Sequence, residues 1–254
     1  MFAHPELAGD FQAAKDVVEK RGELRSALTR LVDSTVLKPE TVWSKVEALC
    51  KEASQYNFRA VCVSPCFVQA VSEYFKANSC KVRVCTVVGF PNGVSTTASK
   101  VFETRDAISA GADEIDYVQN DGWVKSANWV ALEKEAKEIV QAAQGRLVKI
   151  ILETSLLTES EIRECALRSA LAGVHVIKTS TGFGSRGASP KDIEIMASAL
   201  AEAKSRTGMI YGIKASGGVR TLADAQTLVG LGATRLGTSG GAAIVDGAVN
   251  TASY

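Results

Sequence analysis

Eight short apolar runs rich in β-branched residues recur along the 254-residue chain, and segments of helical periodicity separate them. The runs are LVDSTVL (31–37), FRAVCVS (58–64), KVRVCTVVGF (81–90), EIDYVQN (114–120), RLVKIILET (146–154), HVIKTST (175–181), MIYGIKAS (209–216) and ATRLGTSG (233–240). The spacers include KPETVWSKVEALCKEASQYN, NGVSTTASKVFETRDAISAG, SLLTESEIRECALRSALAG and TLADAQTLVGLG. Several open with Thr, Ser or Pro near an acid and close on Gly, as capped helices do. Strand–helix alternation implies a parallel sheet. Eight such units in about 250 residues match a closed (β/α)8 TIM barrel. The open doubly wound alternative would more often carry G-x-G-x-x-G after its first strand, and LVDSTVLKPE has none. The opening MFAHPELAGDFQAAKDVVEK reads as an amphipathic helix. Residues 1–30 are therefore expected to form a helical extension of a single barrel domain spanning 1–254.

Charge narrows the field. Twenty-nine Lys and Arg against 28 Asp and Glu leave a formal charge of +1, which gives no footprint for nucleic acid or an anionic membrane. No apolar run approaches membrane-spanning length, and the N-terminus lacks the basic segment and apolar core of a secretory signal. A cytoplasmic protein is expected. The six cysteines, Cys50, Cys62, Cys66, Cys80, Cys85 and Cys165, then read as free thiols. Cys62 and Cys66 have ligand-like spacing. With no second such pair and only His4 and His175 as histidines, no metal site is expected.

The lysine inside HVIKTST is the first sign of chemistry. Side chains alternate faces along a strand. One register places Lys178 with Val176 and Ser180, Lys214 with Ile210, Gly212 and Ser216, Lys149 with Leu147, Ile151 and Glu153, and Asp116 with Glu114, Val118 and Asn120. Ile150, Leu152, Ile177 and Ile213 then face the helices. Asp116, Lys149, Lys178 and Lys214 would converge inside the barrel from four consecutive strands about 4.8 Å apart. Lysines at strand ends are commonly solvated, and a buried one commonly pairs with a carboxylate. Three lysines sharing one aspartate predict instead that at least one amine has a lowered pKa. Such an amine is a nucleophile whose usual partner is a carbonyl, through a Schiff base. The reading is an aldolase without metal or other cofactor.

The loops after the seventh and eighth strands supply a handle for the substrate. ASGGVRTLADA places Gly217, Gly218 and Arg220 there, and LGTSGGAAI places Gly237, Ser239 and Gly240. Glycines let backbone N–H groups approach an anion, and this is the usual phosphate position of the barrel. Gly182, in the small-residue loop after Lys178, joins them as a binding candidate. No Walker-type loop occurs, so a nucleoside triphosphate is not indicated.

The segments VIKTSTGFG, GIKASGGVRTLADA, GADEIDYVQN, VVGFPNGVSTTASKVFE, LVKIILET and RLGTSGG resemble the signature segments of the deoxyribose-phosphate aldolase family, from about Leu31 onward. The resemblance implies a class I aldolase that reversibly cleaves 2-deoxy-D-ribose 5-phosphate to D-glyceraldehyde 3-phosphate and acetaldehyde, without a cofactor. It implies Lys178 as the Schiff-base lysine, Lys214 as the neighbour that lowers its pKa, Asp116 as the proton-shuttling carboxylate and Lys149 as support. Some members end in Ser-Tyr, which implies a proton relay for Tyr254. The chain departs from the family pattern at Ser34, where many members have histidine, at Tyr117 and Gln119, and at Phe183, where some have lysine. It departs again at Gly240, where a second serine is usual, and Gly240→Ser is expected to tighten phosphate binding modestly. Two rival readings are another Schiff-base sugar-phosphate lyase or transaldolase, and a non-catalytic sugar-phosphate-binding barrel. The expected partners are a sugar phosphate and acetaldehyde. The oligomeric state is left open, a homodimer being one option.

Overall fold

The computed structural model describes residues 1–19 and 24–251. Two helices, α1 (Leu7–Val18) and α2 (Leu24–Thr29), precede eight strands, each followed by helix. In order these are β1 (Val32–Val36) and α3 (Trp43–Tyr56), β2 (Ala60–Val63) and α4 (Val68–Ala77), and β3 (Arg83–Val88) and α5 (Thr97–Ser109). Next come β4 (Glu114–Val118) with α6 (Asp121–Lys125) and α7 (Trp129–Ala142), then β5 (Leu147–Ile151) and α8 (Glu159–Leu171). The last three units are β6 (Val176–Lys178) and α9 (Pro190–Thr207), β7 (Gly212–Ser216) and α10 (Leu222–Gly230), and β8 (Arg235–Thr238) and α11 (Gly241–Val245). All neighbouring strands are parallel, and β8 pairs with β1 to close the barrel. This is the (β/α)8 architecture the pattern predicts. Among the described residues, no helix is long and apolar enough to cross a membrane.

Alternation sorts the side chains as the register argument requires. Ile150, Leu152, Ile177 and Ile213 belong to the large core between strands and helices. The lumen begins at its floor with Leu7, Leu147 and Val176, against which Phe2 and Phe11 pack. Leu7 comes from α1, so the helix ahead of the barrel stoppers its lower end. Gly212 leaves room for that contact, because a Cβ there would sit 3.2 Å from Leu7 Cδ2. Burying Leu7 completely contributes about 2 kcal/mol.

The helices following the three lysine-bearing strands are set by sequence at their first turns. Thr158 with Glu161 starts α8, Ser189 with Asp192 starts α9, and Thr221 with Asp224 starts α10, each as a reciprocal capping box. These caps satisfy the orphan N–H groups of the first turn and fix where each mouth loop ends. Asp192 also accepts from Thr154 Oγ1 at 3.0 Å and from both terminal nitrogens of Arg186, at 2.5 and 3.1 Å. That aspartate ties three mouth segments together.

Candidate active site

Above the apolar floor the lumen is a stack of paired charges. Arg235 on β8 donates to Asp10 of α1 at 2.7 Å, to Asp33 of β1 at 2.8 Å and to Glu114 of β4 at 3.0 Å. Glu114 accepts from Lys149 Nζ at 2.5 Å, and Lys149 also reaches Asp116 Oδ1 at 2.7 Å. Asp33 accepts from Lys214 Nζ at 2.5 Å. Lys214 and Lys178 each donate to the same oxygen, Asp116 Oδ2, at 2.9 Å. The four polar residues expected to converge do converge, with Asp116 at the hub.

Two of the three lysines have raised rather than lowered pKa values. Burial opposes charge on Lys149, but Asp116 and Glu114 beside it raise its pKa above the ordinary lysine value. Burial likewise opposes charge on Lys214, and Asp116 and Asp33 raise it well above that value. Both are held as ammonium ions. Burial pushes Asp116 up, yet Lys149, Lys178 and Lys214 hold its carboxyl well below the usual range. The register argument counted one acid against three lysines. The lumen in fact sets Asp10, Asp33, Glu114 and Asp116 against Lys149, Lys178, Lys214 and Arg235. Asp33 and Arg235 were missed, although each is a lone charge in an apolar strand run, the signal that exposed the lysines.

Lys178 differs from its neighbours. It keeps one ion pair, with Asp116, whereas Lys214 keeps two and Lys149 is bonded to two carboxylates. Converting its amine to an imine would leave Asp116 held by Lys149 and Lys214. It is also the last residue of its strand, and it keeps slight exposure where Lys149 and Lys214 keep none. Above it, Glu153 adopts φ +49° and its carboxylate accepts from Thr181 N at 3.2 Å and from the Thr181 hydroxyl. A residue other than glycine in that region is strained, which is common beside a site.

The loops beyond β6, β7 and β8 line one cavity of about 210 Å3, bounded by Gly182, Gly217, Gly218, Arg220, Gly237 and Ser239 together with Asn250. Gly217 and Gly218 are consecutive residues with φ +76° and +74°, a conformation that suits glycine. A Cβ on Gly218 would meet nothing within 4 Å. Gly187 approaches Gly217 so closely that a Cβ on it would fall 2.8 Å from Gly217 Cα. The loops after β6 and β7 therefore interlock through glycine.

Gly240 is not among the residues bounding this cavity, and the space beside it is occupied. A Cβ there would overlap the side-chain amide of Asn250, whose Nδ2 lies 3.4 Å from Thr238 Oγ1. Asn250 N also donates to Arg220 O at 2.8 Å, pinning the chain beyond α11 to the cradle. The asparagine fills the space a second serine would need. Ser34 alternates with the lumen-facing Asp33 and pairs with Val61 and Thr238, so the substitution there faces the helix layer. Tyr117 is likewise in the outer core, and the Gln119 amide donates to Leu152 O and Asp121. Phe183 meets Phe90 edge to face with ring centroids 5.3 Å apart. Tyr254 lies outside the described residues.

The cysteines are free thiols: Cys50, Cys62, Cys85 and Cys165 are buried, Cys80 is half-buried and Cys66 is exposed. Cys62 and Cys66 thus part company. The ligating atoms of Cys62, Cys85 and Asp116 do lie within 4.8 Å of one another. The same carboxylate, however, is held by the ammonium groups of Lys149 and Lys214, whose charge opposes a cation there.

A model of the DeoC/LacD family aldolases matches residues 27–246. The chain belongs to this family. It is 44% identical to the deoxyribose-phosphate aldolase of Clostridium perfringens over 91% of this chain and 99% of that protein. It is 45% identical to deoxyribose-phosphate aldolase 1 of Bacillus licheniformis over 87% of this chain and 95% of that one. Its fold is similar to the solved tetrameric deoxyribose phosphate aldolase of Aeropyrum pernix, with a TM-score of 0.80 and 32% identity. That match covers 94% of this chain and 96% of the other. The enzyme is therefore an aldolase, a carbon–carbon lyase.

Proposed function

We propose that this aldolase cleaves 2-deoxy-D-ribose 5-phosphate reversibly to D-glyceraldehyde 3-phosphate and acetaldehyde through a Schiff base on Lys178. The observation that carries the assignment to Lys178 is the sharing of Asp116 Oδ2 by two lysines, of which Lys178 alone pairs with no other carboxylate among the described residues. Its amine adds to the C1 carbonyl of the open-chain sugar, and loss of water gives the iminium. The C2–C3 bond then breaks, its electron pair moving toward the iminium nitrogen as the C3 hydroxyl gives up its proton. Asp116 takes part as a relay, since Lys149 and Lys214 still hold it anionic and disfavour its keeping a proton. Glyceraldehyde phosphate departs, the enamine on Lys178 is protonated at carbon, and water releases acetaldehyde. The amine itself supplies the electron sink.

Lys214 and Lys149, as fixed ammonium ions, set the field around Lys178. The glycine cradle with Ser239 and Arg220 receives the phosphate, its N–H groups and positive charge complementing the anion. The functional unit is one barrel domain, residues 1–254, with residues 1–30 as its helical extension. It works in the cytoplasm as a homo-oligomer, with Tyr254 assisting proton transfer at the methyl carbon. Borohydride reduction in the presence of acetaldehyde, followed by peptide mass mapping, tests the assignment. The adduct is expected on Lys178, and an adduct on Lys214 or Lys149 would overturn it.

A further inference from the structure

We propose that the hydroxyls of Ser180 and Ser216 form a subsite for one hydroxyl of the substrate, the C4 hydroxyl of the deoxypentose phosphate. The proposal rests on the aldolase reading above and adds the residues that recognise the middle of the sugar.

Ser180 and Ser216 are 0% and 1% exposed, and neither Oγ has a hydrogen-bond partner among the described residues. A hydroxyl buried without a partner is unfavourable and calls for an explanation. The other orphan hydroxyls lie off the lumen. Ser34 and Tyr117 alternate with Asp33 and Asp116 on the outer strand face, and Ser169 is on α8. Ser216 stands two residues past Lys214 on the same face of β7, and Ser180 stands two past Lys178, beyond the end of β6. At about 3.3 Å per residue, Ser216 lies roughly 6–7 Å nearer the mouth than Lys214.

The phosphate cradle closes the far side of these hydroxyls. Ser180 Cβ lies 3.8 Å from where a Cβ on Gly217 would be. A Cβ on Gly237 would run into Ser216 Oγ and come within 3.1 Å of Lys214 Cε. The two hydroxyls thus occupy the span between the nucleophilic amine and the anion cradle. A pentose phosphate held by C1 on Lys178 and by its phosphate in the cradle lays C3 and C4 across that span. The C3 hydroxyl must surrender its proton near Asp116. The C4 hydroxyl is left to the serines, each of which donates and accepts.

The test runs the reaction in the direction of synthesis, from acetaldehyde and either of two acceptors. D-Glyceraldehyde 3-phosphate carries the hydroxyl in question, and 3-oxopropyl phosphate lacks it. The parent enzyme should prefer the hydroxylated acceptor by about tenfold or more in kcat/KM, because a site built to bind a hydroxyl rejects the analogue without it. Ser180→Ala and Ser216→Ala should each cut kcat/KM for the hydroxylated acceptor several-fold and leave the other acceptor unchanged. Acetaldehyde trapping at Lys178 should persist, and the thermal midpoint should hold or rise, since an unpartnered buried hydroxyl has been removed. A parent without preference, or equal losses for both acceptors, would overturn the proposal. So would an unaltered preference with a lowered midpoint, which marks a packing role. A parent that cleaves no deoxyribose 5-phosphate and forms no Lys178 adduct would instead overturn the aldolase reading.

Discussion

The two ends of the barrel lumen are built from the same eight strands and obey opposite rules. At the floor, Leu7, Leu147 and Val176 close on one another, and α1 supplies the stopper. In the middle, every carboxylate of the stack has a cation within 3.0 Å. At the mouth, two buried hydroxyls have no partner among the described residues, Glu153 is held at φ +49°, and paired glycines occupy the left-handed region. The lower lumen is closed by contacts within the chain, whereas the upper lumen keeps unmet polar groups and a strained residue beside the cavity, an arrangement that costs some stability.

The sharpest way to break this comparison is at its boundary. Lys178→Ala should lower kcat/KM for deoxyribose 5-phosphate by roughly 10^4-fold or more and abolish borohydride trapping, with the midpoint of unfolding little changed. A retained adduct in that variant would move the reactive amine elsewhere. One step down, Arg235→Met leaves Asp10, Asp33 and Glu114 short of a cation. It should destabilise the fold by about 3–5 kcal/mol, read from urea or thermal unfolding. A loss below about 1 kcal/mol would show that the stack repacks freely.

The floor should answer differently. Leu7→Ala opens a cavity at the stopper and should cost about 3 kcal/mol of stability, with kcat/KM at 25 °C nearly unchanged. A parallel fall in kcat/KM would mean that the two ends are coupled. The smallest effect concerns His175, whose ring meets His4 at a tilt with centroids 4.9 Å apart and whose Nδ1 accepts from Val148 N at 3.0 Å. Burial first, and His4 second, lower its pKa to about 4. The unfolded chain takes up that proton near pH 6.5 and the folded one only near pH 4. Its presence therefore costs stability as pH falls through this window and costs nothing above it. Relative to His175→Asn, which keeps an acceptor, the parent should lose about 1–2 kcal/mol between pH 7 and pH 5. A constant difference across that range would remove His175 from the floor's pH response.

Much of this architecture is legible in the chain. Each of the eight apolar runs contains its strand, because strands buried on both faces need nearly continuous apolar sequence. The boundaries are less so. HVIKTST contributes only Val176–Lys178 as strand, since its remaining polar residues serve the mouth. EIDYVQN stops as strand at Val118, where the Gln119 side chain turns to Leu152 O and Asp121. The lysine cluster followed from period-two alternation alone. Its charge state did not, because Asp33 and Arg235 arrive from β1 and β8, which meet only once the barrel closes. The packing beside Gly240 was hidden for a similar reason: the asparagine that fills its space follows ten residues later, in a segment with no periodic pattern.

The contact between Asp10 and Arg235 joins residues 225 positions apart. The aspartate belongs to the helix ahead of the barrel, and its arginine to the last strand. β1 likewise waits for β8 before either has both neighbours. Closing so long a loop is entropically slow to reward, and little of the charge stack can be balanced before it happens. The ordering of the charged lumen, Lys178 included, thus depends on the pairing of the chain's most distant strands.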